Sequence, residues 1–418
     1  MALFYGPMSL IRQKPRPLGG STPSPTPPQQ PEPQTQPPRV RVRSVAVIGG
    51  GLAGACVARA LARAAIQTGV VNLAVTLFEA SAGIATGASA VPAAVLHPLD
   101  SRDHNLASQF FALGVETTIN WARALGGETS GWADLSGVDQ YLMPGMSAPI
   151  RQRGGWIRPT AFIDACLEDV NACLGSRFHL ALGKGVVTAQ WQDLLREFDA
   201  VVVCSAQDAL LAQAGLALQP LAGQLSSSAI APEYLAAVRR RFPRVTCGRG
   251  FVTPVIDGQM FFGATFHRGC RQARVTDEDH RSNLHQLDGL WPEADRPFVL
   301  APERLEGWAG VRFATRDRLP HIGQPVAASV YRGALPSWRL ARSVSQLHQL
   351  PRDPGVYVLL GLGARGLSTA PLGATALAAD MLGLAPVLSP RVRNAVDPGR
   401  FVLREHARAE GGGRLVGP

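Results

Sequence analysis

A chain of 418 residues with 46% apolar content can build two or three domains around a sizeable core, which excludes a small module that depends on staples. Its six cysteines (Cys56, Cys166, Cys173, Cys204, Cys247, Cys270) form no C-x-x-C pair and meet no matching His cluster, so neither a zinc site nor a disulfide framework is expected, only buried thiols in a reducing cytoplasm. The net charge of +10 suits a polyanionic partner, yet nearly all the cations are arginines in an Ala- and Gly-rich chain, and charge alone leaves nucleic-acid contact open.

Residues 15–39 hold most of a Pro-, Gln-, Ser- and Thr-rich tract that buries too little apolar surface to order itself, and 1–40 read as a disordered tail or linker. A linker at this place fits a domain that once preceded it, or a start codon assigned upstream of the true one. Arg12, Lys14 and Arg16 follow a short mixed stretch without a continuous apolar run, so no secretory signal is expected. The apolar stretches 45–65 and 356–388 carry Arg59, Arg63, Arg365 and Asp380 and are broken by glycines, which argues against membrane spans and for a cytoplasmic protein.

The first structured element is the most informative. Residues 45–54 read V-A-V-I-G-G-G-L-A-G, a buried-strand pattern running into Gly49, Gly51 and Gly54 at G-x-G-x-x-G spacing and then into an Ala-rich helix. The first glycine permits the tight turn, the second lets backbone N–H groups approach a pyrophosphate, and the third lets helix pack on strand. The helix start faces the anion with its partial positive charge. Residues 75–78 predict a second strand ending in Glu79, whose carboxylate can accept hydrogen bonds from an adenosine ribose. The wide spacing between Gly54 and Glu79 is explained by a longer loop over 67–73.

Further along, three- and four-residue apolar spacing predicts a helix over 105–125. Short strands are expected within 138–158, a buried strand over 200–204, and a hairpin within 250–265 whose turn is Asp257-Gly258. Residues 307–320 read G-W-A-G-V-R-F-A-T-R-D-R-L-P, with Arg312 inside a strand-like run. A strand over 356–360 leads into G-L-G-A-R-G-L-S-T-A-P at 361–371 and a helix to about Leu382, the second strand–glycine–helix junction of the chain. Two such junctions at opposite ends do not suit a simple nicotinamide dehydrogenase.

With these clusters in place, residues 43–405 resemble flavin amine oxidases of the D-amino-acid oxidase and glycine oxidase type. Within that superfamily they resemble the FAD-dependent C-terminal domain of bifunctional tRNA 5-methylaminomethyl-2-thiouridine biosynthesis proteins. The segments that carry the likeness are G-G-W-I-R-P at 154–159, L-A-G-Q-L at 221–225, G-A-T-F-H-R-G at 263–269, 310–320, A-R-G-L at 364–367 with A-P-L at 370–372, and D-P-G-R-F at 397–401. The resemblance implies an α/β fold, a Rossmann-like FAD-binding domain with an inserted antiparallel-sheet substrate domain. The expected layout is a tail over 1–40, an FAD-binding part made of 41–110, 150–215 and 305–405, a substrate part made of 111–149 and 216–304, and a flexible tail over 406–418.

The likeness further implies that FAD is held by Gly49, Gly51, Gly54, Glu79 and Ser89, and that Gly361, Gly363, Gly366 and Leu367 lie against its ring. Arg312 is implied as the clamp for a substrate carboxylate, its planar fork matching the anion, with Arg365 as a second contact near the flavin edge; His267 and Arg268 line the entrance or are hairpin-end surface residues. No metal is implied. The implied reaction removes the carboxymethyl group from 5-carboxymethylaminomethyl-(2-thio)uridine at the wobble position of tRNA, giving 5-aminomethyl-(2-thio)uridine and glyoxylate. The family's methyltransferase domain has no counterpart here, so the expectation is either a stand-alone oxidoreductase or a separate SAM-dependent methyltransferase, supplied by another chain, acting on the product. Two departures stand out: residues 87–94 read G-A-S-A-V-P-A-A where Gly and Asn are usual, and 204–206 read C-S-A where an Asn-Gly ending is usual. The alternatives are an oxidase of free glycine, sarcosine or D-amino acids, and a non-catalytic flavoprotein or RNA-binding module, the latter favoured by the altered 87–94 segment.

Overall fold

The apolar run before Gly49 becomes the strand Ser44–Ile48 at the centre of a six-stranded sheet, as the computed structural model of the chain shows. The structure describes residues 42–99, 101, 103–141, 148–206, 216–327, 347 and 350–402; the expected tails over 1–40 and 406–418 lie outside the described residues. The strand order is His321–Gly323, Val356–Leu360, Ala200–Val203, Ser44–Ile48, Ala74–Phe78, Phe178–Ala181. All pairings are parallel except that of the edge strand His321–Gly323. Because helices cover both faces of a parallel sheet, its strands are largely apolar. Val45 and Val47 face a core built on the helices Leu52–Thr68, Leu106–Ala124, Pro159–Leu174 and Ala370–Leu382, while Ala46 and Ile48 face Trp191 and Leu194 on the other side.

The second sheet runs His267–Arg268, Gln219–Ala229, Gln259–Gly263, Phe251–Ile256, Val245–Cys247, Val138–Gln140, Ile150–Gln152, with Glu306–Ala314 on the free flank of Gln219–Ala229. The hairpin expected at Asp257-Gly258 is there: both residues take positive φ (+49° and +79°), the requirement of a two-residue turn that matches strand twist. A small third sheet joins Ala94–Leu96, Gly155–Ile157 and Ala133–Asp134.

Several expectations need adjusting. Helix Leu52–Thr68 takes up the first two residues of the presumed 67–73 loop and ends at Gly69, φ +66°. Helix Leu106–Ala124 straddles the expected boundary at 110/111 and buries Phe110, Phe111, Val115 and Ile119 in the core of the nucleotide sheet. Ile150–Gln152 and Glu306–Ala314 hydrogen-bond into the second sheet, although the sequence layout assigns both to the nucleotide part. Their partners are remote in sequence, and apolar periodicity carries no record of which sheet a strand joins. Cys270 is exposed, whereas all six thiols were expected to be buried; Cys56, Cys166 and Cys247 are buried, Cys173 and Cys204 half-buried, and all six are free. Among the described residues no helix is long and apolar enough to cross a membrane, and no three His, Cys, Asp or Glu side chains are placed to hold a metal ion.

Candidate functional site

The three glycines of the first turn divide their work. Gly49 takes φ +111° and donates its N–H to Phe78 O at 2.8 Å, tying the turn to the neighbouring strand. At Gly54 an added Cβ would lie 1.9 Å from Gly49 O, so this glycine exists for the close approach of helix and turn. At Gly51 an added Cβ would meet only Ser89 Oγ, at 3.1 Å, and otherwise points into open space. Gly51 is also the N-cap of Leu52–Thr68 and offers no capping side chain, and the first turn carries no acidic residue. The orphan N–H groups of the helix start are thereby left for an anion, apart from that of Leu52, which donates to Ser89 Oγ at 3.0 Å. Glu79 is fixed by Gly50 N (2.7 Å to Oε2) and Ser81 N (2.8 Å to Oε1), keeping lone pairs for further donors.

The second junction sits against the first. Gly361 (φ +73°) and Gly363 (φ +56°) turn the chain after Val356–Leu360, and Gly363 N donates to Phe313 O at 2.9 Å, one residue from Arg312. An added Cβ at Gly361 would be 2.7 Å from Thr315 Cγ2, and one at Gly366 would be 3.2 Å from Leu52 Cδ2. Helix Leu106–Ala124 presses on the far side of this turn: Thr118 Oγ1 donates to Leu367 O at 2.6 Å, and an added Cβ at Gly114 would fall 1.7 Å from Ser368 O.

Between the two junctions and the second sheet lies a cavity of about 750 Å³, within the ~300–1,000 Å³ range of ligand pockets. Gly49, Gly51, Glu79, Ser89, Arg312, Gly361, Gly363, Arg365, Gly366 and Leu367 all line it, while Gly54, His267 and Arg268 do not. The altered 87–94 segment still forms wall, through Gly87, Ala88, Ser89, Val91, Ala93 and Ala94, and the C-S-A turn does so through Cys204, Ser205 and Ala206. Burial pushes the Cys247 thiol up to about 12 and Cys204 higher still, so neither wall cysteine is a thiolate at neutral pH.

Two guanidiniums dominate the wall. Arg312 reaches Thr265 O only at 3.5 Å, its Nε is buried without a hydrogen-bond partner, and burial lowers its pKa to about 10, so it stays cationic at neutral pH. Its Cζ lies 4.7 Å from the centroid of the Phe266 ring. Arg365 donates to His97 O at 3.2 Å and lies over Phe111, with burial, and then Arg318, lowering its pKa. Among the described residues neither has a carboxylate partner. A half-buried charge left this way is costly, and an anionic ligand relieves that cost.

Of the two positions open to His267 and Arg268, cavity entrance and hairpin-end surface, the structure shows the second. His267 Nε2 pairs with the buried Asp279 Oδ1 at 2.8 Å, and the side chains of His267 and Arg268 are solvent-exposed, away from the cavity. The neighbouring Phe266 takes the wall position instead, with Arg249 from the turn before Phe251–Ile256. Gly223 was also passed over as a mere motif letter. An added Cβ there would sit 2.3 Å from Arg312 Nη2 and 2.1 Å from Thr265 O, so the guanidinium occupies the space of a missing side chain.

This cavity fits an FAD molecule. The amide-lined start of Leu52–Thr68 suits a diphosphate, Glu79 a ribose, and the Gly361–Leu367 turn offers side-chain-free backbone to a flat ring. Residues 44–138 and 139–380 match the family model "DAO: FAD dependent oxidoreductase". The chain is 31% identical over 412 residues to the tRNA 5-methylaminomethyl-2-thiouridine biosynthesis bifunctional protein MnmC of Azoarcus sp. (strain BH72), covering 88% of this chain and 61% of that protein. It is likewise 31% identical over 416 residues to the Burkholderia lata protein of that name, covering 87% and 61%. The chain thus spans about three-fifths of the length of the curated relatives it matches. Among solved structures it is similar in fold to L-proline dehydrogenase from P. horikoshii (TM-score 0.59, 15% identity, 87% of this chain and 98% of that one). Glycine oxidase from Geobacillus kaustophilus is similar too (TM-score 0.56, 18% identity, 86% and 99%).

Proposed function

The chain belongs to the DAO family of FAD-dependent oxidoreductases, and from that premise we propose that it removes the carboxymethyl group from 5-carboxymethylaminomethyl-(2-thio)uridine at the wobble position of tRNA. The products are 5-aminomethyl-(2-thio)uridine and glyoxylate. The named relatives support the tRNA substrate. The observation that carries the reading is Arg312, a half-buried guanidinium whose Nε is buried without a hydrogen-bond partner and which has no carboxylate partner among the described residues, on the wall between the two glycine junctions.

The substrate arm is a glycine joined through its nitrogen to the uridine C5 methylene. FAD, when bound, supplies the acceptor for the hydride that leaves the carbon next to the carboxylate. In this reading Arg312 grips the carboxylate through its fork, and Arg365, held on the cavity wall by His97 O and Phe111, is a second contact near the flavin edge. Fixing the arm makes the encounter an oriented one, an effect worth up to ~7–11 kcal/mol in model reactions. Glu79 is the one carboxylate on the described wall, and it is engaged at Gly50 and Ser81. The unprotonated amine's own lone pair therefore drives the hydride out. The amine proton leaves to solvent, and water then adds across the resulting C=N bond of the arm, splitting it into the primary amine and glyoxylate. A tRNA substrate implies a cytoplasmic site of action, and a SAM-dependent methyltransferase would act on the product amine.

The test is mass analysis of wobble nucleosides from cells lacking this chain. The carboxymethylaminomethyl nucleoside should accumulate and the downstream forms disappear; an unchanged nucleoside profile rejects the proposal.

A further inference from the structure

Phe266 occupies a place that the chemistry described so far does not use. Its side chain is 53% exposed, yet it lines the cavity, and one ring face is covered by the Arg312 guanidinium at 4.7 Å. A lone exposed apolar residue is ordinary. This one is held in place. The strand Gln259–Gly263 breaks after Gly263 and resumes at His267, and Thr265 anchors the break through its N–H to Gln224 O (3.1 Å) and its Oγ1, which accepts from Gln224 N (3.0 Å). Gln224 is fully buried, and its side-chain amide clamps Thr276 at both backbone groups, accepting from N at 2.7 Å and donating to O at 3.1 Å. An aromatic ring on a pinned loop at a cavity mouth, backed by a cation, is built to be covered on its other face by a second flat ring. Arg249 on the same wall is exposed and has no carboxylate partner among the described residues, which suits a ligand carrying phosphate.

We propose, resting on the tRNA reading above, that Phe266 is the stacking platform for the wobble base, which lies on the ring at the cavity mouth while its carboxymethylaminomethyl arm passes inward to Arg312. Aromatic stacking of splayed-out bases is a general way proteins hold single-stranded RNA loops. It does not discriminate between bases, because every base has a π-face, so selectivity is left to the arm and its carboxylate.

The FAD-loaded protein and its Phe266→Leu and Phe266→Trp variants separate the outcomes. In Phe266→Leu, KM for tRNA carrying the carboxymethylaminomethyl group should rise on the order of tenfold to a hundredfold, the size of base stacking on an aromatic ring. The rise in KM should far exceed any fall in kcat, and Phe266→Trp should restore it. Affinity for glycolate, a small carboxylate without a base, followed by perturbation of the flavin's visible spectrum, should stay as in the unaltered protein. An unchanged KM in Phe266→Leu overturns the inference, as does a parallel loss of glycolate affinity, which would mean that Phe266 acts through Arg312. A shifted flavin spectrum in ligand-free Phe266→Leu overturns it too, by placing the ring against the cofactor. Absence of tRNA turnover by the unaltered protein instead overturns the proposed function, and this inference with it.

Discussion

Gly51 and Gly54 belong to one motif, but the structure separates what each would suffer on substitution. An added Cβ at Gly54 would strike Gly49 O at 1.9 Å, so Gly54→Ala should destabilise the apoprotein by about 1–3 kcal/mol or more, read from the urea midpoint. Gly51→Val should leave that midpoint nearly unchanged, because the Cβ meets only Ser89 Oγ, and should instead abolish FAD uptake. A flavin-loaded Gly51→Val protein would contradict the placement of the diphosphate. Gly223 extends the same reasoning to the clamp. Its Cβ would displace Arg312 Nη2, so Gly223→Ala should imitate Arg312→Ala, with FAD retained and kcat/KM reduced by the loss of charge-assisted hydrogen bonds worth ~1.5–3 kcal/mol each. Normal turnover by either variant would remove Arg312 from its proposed role. The first glycines were legible in the sequence because their geometry is local to six residues. Gly223 was not, because its reason lies 89 residues away, in the register that sets Leu221 opposite Arg312.

At the scale of elements, the D-P-G-R-F segment of 397–401 gains a reason that sequence alone did not supply. Arg400 is not a solvated surface charge. It is 2% exposed, forks onto Asp317 with two bonds of 3.0 Å, and donates to Leu319 O at 2.7 Å and to Val396 O and Asp397 O. The segment thereby pins the 315–319 turn between the Arg312 strand and the edge strand His321–Gly323. Arg393 pairs with Asp380 at 2.8 Å, and Arg404 lies outside the described residues. Arg400→Leu strands a half-buried Asp317 and should cost about 3–5 kcal/mol, measured by denaturant unfolding. A loss well under ~1 kcal/mol would show that the turn holds without it. Helices, the Asp257-Gly258 hairpin and both glycine junctions were legible because apolar period and turn chemistry are written in neighbouring residues. The choice between entrance and surface for His267 was not legible, because Asp279, its partner, sits on the next helix.

For the whole molecule, the sequence specified the α/β class and the presence of a second sheet, but not where one part ends. The boundary strands pair across distances that no local pattern records. Stability should also carry a pH signature from the sheet edge. His321 is 1% exposed and accepts from Arg400 Nη1 at 3.1 Å, and burial, then the Arg400 charge, depresses its pKa from 6.5 to about 3. Between those values the unfolded chain binds a proton that the folded chain refuses. The stability this site contributes is therefore present above about pH 6.5 and is lost as pH falls toward 3, with a slope of up to ~1.4 kcal/mol per pH unit. His321→Asn, which keeps an acceptor for Arg400, should flatten the dependence of the urea midpoint between pH 7 and about pH 4; an identical slope would place the titration elsewhere.

The central claim joins a flavin in the glycine-lined cavity to a glycyl arm on tRNA, and one experiment addresses both halves. The FAD-loaded protein is mixed without oxygen with tRNA bearing 5-carboxymethylaminomethyl-2-thiouridine, and separately with free glycine and sarcosine, while the visible absorbance of oxidised flavin and the release of glyoxylate are followed. The account predicts bleaching with the tRNA, one glyoxylate per flavin reduced and an aminomethyl nucleoside in the digest, with little response to the free amino acids. Bleaching by glycine or sarcosine alongside an inert tRNA would contradict it.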